Sequence, residues 1–293
     1  MEHEVKEVDV TYDNGTKGKI ELKYPVRTKN KCIIVGCATS KELVDFNDPD
    51  AEYWGVNNLY GVPLKDAHYD RWFEIHNIWN DERSGNLLRR GSTEFRGQSV
   101  PDYLAGLGKL GCTVYMQKHW PELVPMSVPY PLHEIIAFFN EKIGLDLSLC
   151  RYLTNTITYE IVLAIYLGFK QIEVWGVDMS LGDEYEAQRP SCEFWMGIAA
   201  GMGIKIFVPS QADLLKCRFM YGFEEQLQDI WREKVENVRV TTKLKRLQAE
   251  RQRDELNERV LQLRGAEQTV EEINKIWRNE IDDNLVVQRR GTL

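Results

Sequence analysis

The 293-residue chain has 43% hydrophobic and 28% charged residues, as expected of a globular protein with one large domain and an appendage. Its net charge of −8 argues against a molecule that binds polyanions over its whole surface. The six cysteines include no CxxC pair and no cluster with histidines, so we predict buried free thiols rather than a zinc site.

Short apolar segments and polar turns alternate in the first half of the chain. The alternating pattern of residues 7–25 predicts a β-hairpin. The β-branched run CIIVG (32–36) is typical of a buried parallel strand, and the helix start KELVDF follows it. Two further strands are predicted at EYWGVNNLY (52–60) and RWFEIH (71–76). The polar segment 77–98 has no clear period and is interpreted as a mobile loop.

The second half of the chain continues the alternation of helices and strands. Ser99 is a plausible N-cap for a helix with Pro101 in its first turn. A helix over 153–169 is the strongest prediction, because its apolar residues have helical spacing and Gly168 follows it at the usual C-terminal position. The remaining predicted elements are strands at 112–117, 170–179 and 204–209 and helices at 131–144 and 190–203.

Strands that alternate with helices imply βαβ units and a mostly parallel sheet, so the fold class is α/β and Rossmann-like. In such sheets the ligand crevice lies beyond the carboxyl ends of the strands. The small and polar residues that follow the predicted strands are therefore the first candidates for a site.

The texture changes from about Glu224, where glycine and proline become rare and charge rises. Apolar residues recur there at three- and four-residue steps, which indicates a long helix or coiled coil that bends or breaks at Arg264-Gly265. We predict three parts: an N-terminal hairpin extension (1–30), a Rossmann-like nucleotide-binding domain (31–222) and a C-terminal helical arm (223–293). The arm either packs on the core, forms a homo-oligomer or holds a partner.

Part of the arm is basic. From Arg239 to Arg264 there are eight Lys/Arg against four Asp/Glu, a local net charge of +4. Such a segment either contacts nucleic-acid phosphates or forms a solvated helix face.

The loop Gly36–Ser40 is the first candidate for a nucleotide site. Small residues between a strand and a helix let the backbone approach a phosphate, and the helix N-terminus adds N–H groups. We place Gly36, Thr39 and Ser40 in this role, although a tight turn explains the same residues equally well.

Two polar clusters follow other predicted elements. Asn57 and Asn58 lie where the second strand ends, and an amide there either binds a base or ribose edge or caps a turn. Thr154, Asn155 and Thr156 open the strongest helix, where they either bind an anion or cap the helix.

Candidates for chemistry are scattered. His76, His119 and His133 are possible proton carriers, since imidazole titrates near neutral pH. Asp178 ends a strand, and Gln188 and Arg189 follow in the next loop, where the guanidinium can clamp a phosphate or carboxylate.

The order of these segments resembles the bacterial sialyltransferases of the single Rossmann-like domain type. The resemblance rests on IIVGCATSKEL, YWGVNNLY, TNTITYEIVLAIYLGFKQIEVWGVDM and IKIFVPSQADLL, and it covers about residues 32–215. It is most specific over 153–178. Archaeal-type pterin pyrophosphokinases share the fold outline, and RWFEIH and YGFE segments suggest kinship with bacteriophage proteins.

The resemblance implies a glycosyltransferase-like enzyme with a nucleotide-sugar co-substrate and no tightly bound cofactor or metal. The family's nucleotide loop falls on Gly36–Ser40, with Cys37 and Ala38 in place of its asparagine and glycine. Its nucleotide-binding asparagine falls on Asn57. Its general base, a histidine in a His-Glu-Ile context, falls on His133.

Further roles and rivals remain open. Asp178 is grouped with the catalytic residues, and Arg189, His76 and Gln188 with the substrate side. For a phage protein, a modified DNA base is an attractive acceptor. The alternatives are a Mg²⁺-dependent pyrophosphokinase-type enzyme, with Asp178 and Asp183 as metal ligands, or a nucleotide-binding module without catalysis.

The compartment is predicted from the absence of two signals. The acidic start of the sequence lacks the apolar run of a signal peptide, and no apolar stretch approaches the roughly 18–20 residues of a membrane helix. We therefore expect a cytoplasmic protein.

Overall fold

The computed structural model describes residues 2–11, 16–144, 152–179, 183–217, 220, 223 and 227–290. The chain forms two compact units, residues 1–237 and residues 238–293. Each is described separately below.

The first unit is built on a seven-stranded sheet. The strands of the chain are β1 (His3–Thr11), β2 (Lys17–Pro25), β3 (Lys31–Val35), β4 (Ala51–Val56), β5 (Arg71–Glu74), β6 (Ile78–Asn80), β7 (Leu87–Arg89), β8 (Glu94–Phe95), β9 (Gln98–Ser99), β10 (Thr113–Met116), β11 (Ser127–Pro129), β12 (Gln171–Trp175) and β13 (Lys205–Phe207). The sheet order is β11-β10-β5-β4-β3-β12-β13, and every pairing in it is parallel. The predicted α/β, Rossmann-like class is confirmed.

Helices cover both faces of this sheet. They are α1 (Val100–Gly108), α2 (Leu132–Ile143), α3 (Thr156–Tyr166) and α4 (Asp183–Gly201). Trp54 and Phe73 face a core that includes residues of α2, α3 and α4, whereas the adjacent Tyr53 and Trp72 face a second core with α1. Because both faces are covered, every residue of β4 and β5 is buried, as expected of central parallel strands.

Local capping rules account for the predicted helix ends. The Ser99 hydroxyl accepts a hydrogen bond from the Asp102 backbone N–H and caps α1, as predicted. Gly168 follows α3 with a φ of 77°, a left-handed conformation that glycine adopts at little cost. The helix predicted to begin at Pro190 instead starts at Asp183, and Pro190 lies inside it.

Two other segments differ from their predicted structure. The segment KELVDF does not form a full helix, since the turn there is a five-residue 3-10 helix, Thr39–Leu43. The segment 77–98 is not a structureless loop, because strands β6 to β8 lie within it and pair as short hairpins. Strand β11 was not predicted, since its three residues are too few for a visible period.

The N-terminal strands β1 and β2 form the predicted antiparallel hairpin. The end of β2 packs on the core, where Leu22 and Tyr24 are buried. The Tyr24 hydroxyl donates a hydrogen bond to the Pro129 carbonyl oxygen at 2.9 Å. The hairpin therefore contributes apolar surface to the core, and the predicted domain boundaries stay predictions.

The C-terminal helix α5 (Leu227–Arg290) is 64 residues long and continues through Gly265 without a break. Apolar side chains along the described part of this helix are exposed, among them Leu256, Leu263, Val270 and Trp277. Self-association through these residues remains a prediction. No helix in the described part of the chain combines the length and apolar character required to cross a membrane.

Candidate functional site

A cleft of about 570 Å³ lies where β3, β4, β5 and β12 end. It is lined by Gly36, Cys37, Ala38, Val56, Asn57, Asn58, Ile75, His76, Arg89, Arg90, Phe95, Arg96, Leu153, Thr154, Asn155, Thr156, Ile157, Tyr159, Gly176, Val177, Asp178, Met179 and Gln188. This is the edge at which ligands bind to open parallel sheets. Residues from every part of the predicted site therefore meet in one place.

Two glycines let the ends of β3 and β12 come together under this cleft. The Gly36 backbone N–H donates to the Trp175 carbonyl oxygen at 2.8 Å, and that of Ala38 donates to the Gly176 carbonyl oxygen at 2.7 Å. A Cβ at Gly36 would lie 2.5 Å from the Gly176 oxygen, closer than any real contact. The loop thus needs glycine for backbone packing, and its surface also lines the cleft.

Ser40 links the loop after β3 to the residues that follow β12. Its side chain is buried, accepts a hydrogen bond from the Gly176 N–H at 2.8 Å and donates one to Asp178 Oδ1 at 2.5 Å. Asp178 lines the cleft, whereas Ser40 and Thr39 are not among its lining residues. The Ser40 hydroxyl thereby orients the Asp178 carboxylate.

Asn57 directly follows β4 and has a polar side chain at the cleft. Its φ is 50°, a left-handed conformation that asparagine adopts more readily than other non-glycine residues. Its Oδ1 atom is buried without a hydrogen-bond partner among the described residues. Because Asn57 lines the cleft, its side-chain amide is a candidate contact for a ligand.

The start of α3 forms another wall of the cleft through Thr154, Asn155 and Thr156. The Asn155 Oδ1 atom accepts from the Thr158 N–H at 3.0 Å, and its Nδ2 donates to the Gln188 carbonyl oxygen at 3.2 Å. Asn155 therefore caps α3, the explanation that competed with anion binding. The partial positive charge of this helix start faces the cleft as well.

His76 is half-buried and follows β5. It contacts a network of polar side chains formed by Glu74, Arg89 and Tyr103. The Glu74 carboxylate is fully buried and accepts hydrogen bonds from the Arg89 guanidinium at 3.1 Å and from the Tyr103 hydroxyl. It also contacts His76 Nδ1 at 2.5 Å. Burial alone would raise the pKa of Glu74, but the bond and charge of His76, the charge of Arg89 and the Tyr103 bond together hold it below its ordinary value.

Two groups lie against Nδ1 of His76: Glu74 Oε1 at 2.5 Å and Arg89 Nη2 at 2.7 Å. The tautomer of His76 follows from which of the two pairs with Nδ1. In the tautomer that donates from Nδ1 to Glu74, Nε2 keeps the lone pair that a general base requires.

Glu160 is a second buried carboxyl, on the turn of α3 next to the cleft. Both of its oxygens are buried and have no hydrogen-bond partner among the described residues. Burial raises the pKa of Glu160 well above its ordinary value, so the carboxyl is held in its neutral form. The sequence alone leaves Glu160 as either a surface or a structural residue, because no local pattern reports the core around it.

We expect Glu160→Gln to stabilise the protein more at pH 7 than at pH 5. The folded state keeps a proton that the unfolded chain releases, so Glu160 lowers the free energy of unfolding as pH rises from the unfolded pKa towards the folded one. The penalty grows by about 1.4 kcal/mol per pH unit, so the gain at pH 7 should exceed that at pH 5 by up to about 2.7 kcal/mol. Urea unfolding at both pH values measures it. Exposed Glu141→Gln is the control, and an equal gain at both pH values would contradict the assignment.

Two other predicted site residues lie outside the lining of the cleft. His133 is exposed on the first turn of α2. Arg189 donates to Glu193 at 2.7 Å and to the Lys216 carbonyl oxygen at 3.0 Å, so its guanidinium is engaged within the fold. The roles of His133 and Arg189 stay predictions. The histidine that lines the cleft is His76.

Sequence reasoning did not single out Glu74, Arg89, Arg90 or Arg96. All four lie at the end of β5 or in the following segment that was interpreted as a loop. The sequence does contain one signal for these arginines, the Arg-Gly dipeptides at 90–91 and 96–97. Tight turns usually have asparagine before the glycine, so an arginine there indicates a role other than turn formation.

Of the functions considered, only the pyrophosphokinase alternative predicts metal ligands, namely Asp178 and Asp183. Asp178 lines the cleft, and the side chain of Asp183 lies outside the described residues. Within the described residues, no group of three or more His, Cys, Asp or Glu side chains is arranged to hold a metal ion.

Known proteins were compared with this chain in sequence and in structure. No model of a protein family matches the sequence, and no curated protein matches it. The sialyltransferase CstII from Campylobacter jejuni in complex with cytidine-5′-monophosphate is similar in structure, with a TM-score of 0.40 and 14% identity over 61% of this chain and 79% of that chain. Its complex with CMP-3FNeuAc has a TM-score of 0.40 and 13% identity over the same shares.

A third structure, sialyltransferase Cst-II with a trisaccharide acceptor and CMP, has a TM-score of 0.35 and 13% identity over 61% of this chain and 80% of that chain. The resemblance to bacterial sialyltransferases is thus confirmed as a structural likeness, at a level that carries no conclusion about activity. Kinship with bacteriophage proteins stays a prediction. The residues of the cleft therefore carry the functional argument.

Proposed function

We propose that this protein is a glycosyltransferase-like enzyme that transfers a sugar from a nucleotide-sugar to a hydroxyl group. One observation carries the proposal: His76, whose Nδ1 contacts the buried Glu74 carboxylate, lines the same cleft as Asn57, whose Oδ1 atom has no partner among the described residues. Such a transfer needs a general base with a free lone pair. It also needs polar groups nearby that bind the nucleobase and the sugar.

The nucleotide would occupy the side of the cleft formed by the Gly36 loop, β4 and the start of α3. Asn57 and Asn58 offer amide groups to a base or ribose edge. Thr154 and Thr156 offer hydroxyl groups beside the α3 N-terminus, which favours a negative charge.

The transfer itself is a displacement at the anomeric carbon. The acceptor oxygen forms a bond to that carbon, and the bond from the carbon to the phosphate oxygen breaks, with its electron pair leaving on the nucleotide. The acceptor proton moves to His76 Nε2, and the ionised Glu74 stabilises the resulting imidazolium. Helix N–H groups and arginines would meet the charge that develops on the phosphate.

We assign the base to His76 in preference to His133, because His76 lines the cleft and has a carboxylate on Nδ1. Asp178 and Gln188, which line the cleft, are assigned to the acceptor side, whereas Arg189 lies outside the lining and is bonded to Glu193 and Lys216. A modified DNA base of a phage genome is one acceptor that fits the hydroxyl chemistry, with the basic segment of the arm on the DNA phosphates.

A ligand panel tests the proposal. The full chain is incubated with nucleotide-sugars, with ATP and Mg²⁺, and with nucleotides alone, and both binding and turnover are followed. Release of nucleotide from a nucleotide-sugar supports the transferase. Use of ATP with Mg²⁺ would favour the pyrophosphokinase alternative, and tight binding without turnover would favour the non-catalytic module.

A further inference from the structure

Two tight turns after β5 place a pair of arginines at the cleft. The first turn follows β7, the second strand of the β6–β7 hairpin, and the second turn joins β8 to β9. The bridge from Arg89 to Ser92 closes a two-residue turn at Arg90-Gly91, and the pairing of Phe95 with Gln98 closes another at Arg96-Gly97. Both turns have the sequence Arg-Gly, and in both the flanking residues form an antiparallel pair.

The backbone of these turns does not favour arginine. The φ angles are 52° and 86° at Arg90 and Gly91, and 54° and 77° at Arg96 and Gly97. Two-residue turns with positive φ at both positions prefer asparagine, aspartate or glycine at the first. An arginine at that position of both turns therefore calls for a reason other than the turn.

The reason lies in where the two side chains are. Arg90 and Arg96 both line the cleft, and both are exposed. Neither guanidinium has a hydrogen-bond or ion-pair partner among the described residues. Two uncompensated guanidinium groups at one cleft, in a protein of net charge −8, create a local site for anions.

Contacts of Arg89 and Phe95 hold the backbone of the two turns in place. Arg89, next to Arg90, is buried and bonded to Glu74. Its guanidinium also lies over the ring of Phe95, next to Arg96, at 3.8 Å from the ring centre. Arg89 precedes the first turn and Phe95 precedes the second, so their contact links the two turns and keeps the distance between them constant.

We infer that Arg90 and Arg96 form an oxyanion subsite that binds a diphosphate group. A guanidinium presents a planar fork of donors that matches one phosphate, so two arginines from two turns match two linked phosphates. Resting on the proposed function, this subsite would hold the diphosphate of a nucleoside-diphosphate sugar. The substrate class is then narrower than nucleotide-sugars in general.

Inorganic pyrophosphate tests the subsite without any sugar transfer. Isothermal titration calorimetry of the full chain compares pyrophosphate with phosphate for wild type, Arg90→Asn, Arg96→Asn and the double variant. Each single change should weaken pyrophosphate binding about tenfold or more, and the double change further. Because asparagine suits the turns better than arginine, the melting temperature should stay the same or rise.

Arg83→Asn is the matched control, since Arg83 is an exposed arginine of the β6–β7 hairpin that does not line the cleft. It should leave pyrophosphate binding unchanged. The inference is overturned if wild type does not bind pyrophosphate, if phosphate binds as tightly, or if the double variant keeps wild-type affinity. Pyrophosphate binding that depends on the two arginines, without turnover of any nucleotide-sugar, would support the subsite and reject the transferase.

Discussion

Replacing His76 with asparagine should lower the turnover of a nucleotide-sugar by a factor of about 10² to 10⁴ and leave its binding nearly unchanged. Asparagine keeps an N–H group that can reach Glu74 in place of Nδ1, but it has no counterpart of Nε2. The acceptor proton then has no base to accept it. Steady-state kinetics together with calorimetric binding of the nucleotide separates loss of catalysis from loss of affinity.

Chemical rescue distinguishes a base from a merely structural histidine. Imidazole added to His76→Ala should restore part of the turnover, because it can occupy the vacated volume and take the proton. His68→Asn is the control, since His68 is exposed and does not line the cleft. If His76→Asn kept wild-type turnover while His133→Asn lost it, the base would be His133, as the family resemblance predicts.

Much of the fold was predictable because its signals are local. The apolar run 32–36, the helix 153–169 and the glycine at 168 each report their structure within a few residues. The location of the cleft followed from a general rule, since parallel strands bring their carboxyl ends to one edge. Asn57 and Asp178 met there for that reason alone.

The remaining parts of the site depend on partners distant in sequence. Ser40 was predicted to touch the ligand, but its hydroxyl bonds to Asp178, 138 residues later. Arg189 was predicted on the substrate side, but it bonds to a carbonyl oxygen 27 residues away. No period or spacing within one segment carries this information.

Glu74 illustrates the same limit in the catalytic network. Within RWFEIH it has the position of an ordinary strand residue. Its role arises from Arg89, which comes from a segment whose short strands have too few residues for a period. Buried charges in a strand are usually paired, so a glutamate two residues before a histidine in an apolar run was the clue available for Glu74.

A second large effect is expected at the opposite end of the sheet, where Arg71 begins β5. Arg71 and Glu52 are both fully buried, and the Arg71 Nε donates to Glu52 at 2.8 Å. Arg71 also donates to the Pro25 carbonyl oxygen and the Tyr115 hydroxyl, each at 3.0 Å. Although burial by itself would lower the pKa of Arg71, Tyr115 and Glu52 raise it, so the arginine stays charged.

Arg71→Leu should lower the free energy of unfolding by about 3–5 kcal/mol, because it leaves the Glu52 carboxylate buried without its cation. Urea unfolding at pH 8 measures this loss. A double variant, Glu52→Gln with Arg71→Leu, removes the orphaned charge and should recover part of the stability. If it were no more stable than Arg71→Leu at pH 8, the loss would come from packing and not from the unpaired carboxylate.

The two variants at either end of β5 also separate stability from chemistry. Arg71 and Glu74 are about 10 Å apart along the strand, so loss of the Arg71 ion pair should weaken the fold without changing the His76 proton transfer. At a temperature where Arg71→Leu remains folded, its turnover per folded molecule should match wild type. His76→Asn should show the reverse, wild-type unfolding with little turnover, because Glu74 still has Arg89 and Tyr103 as partners.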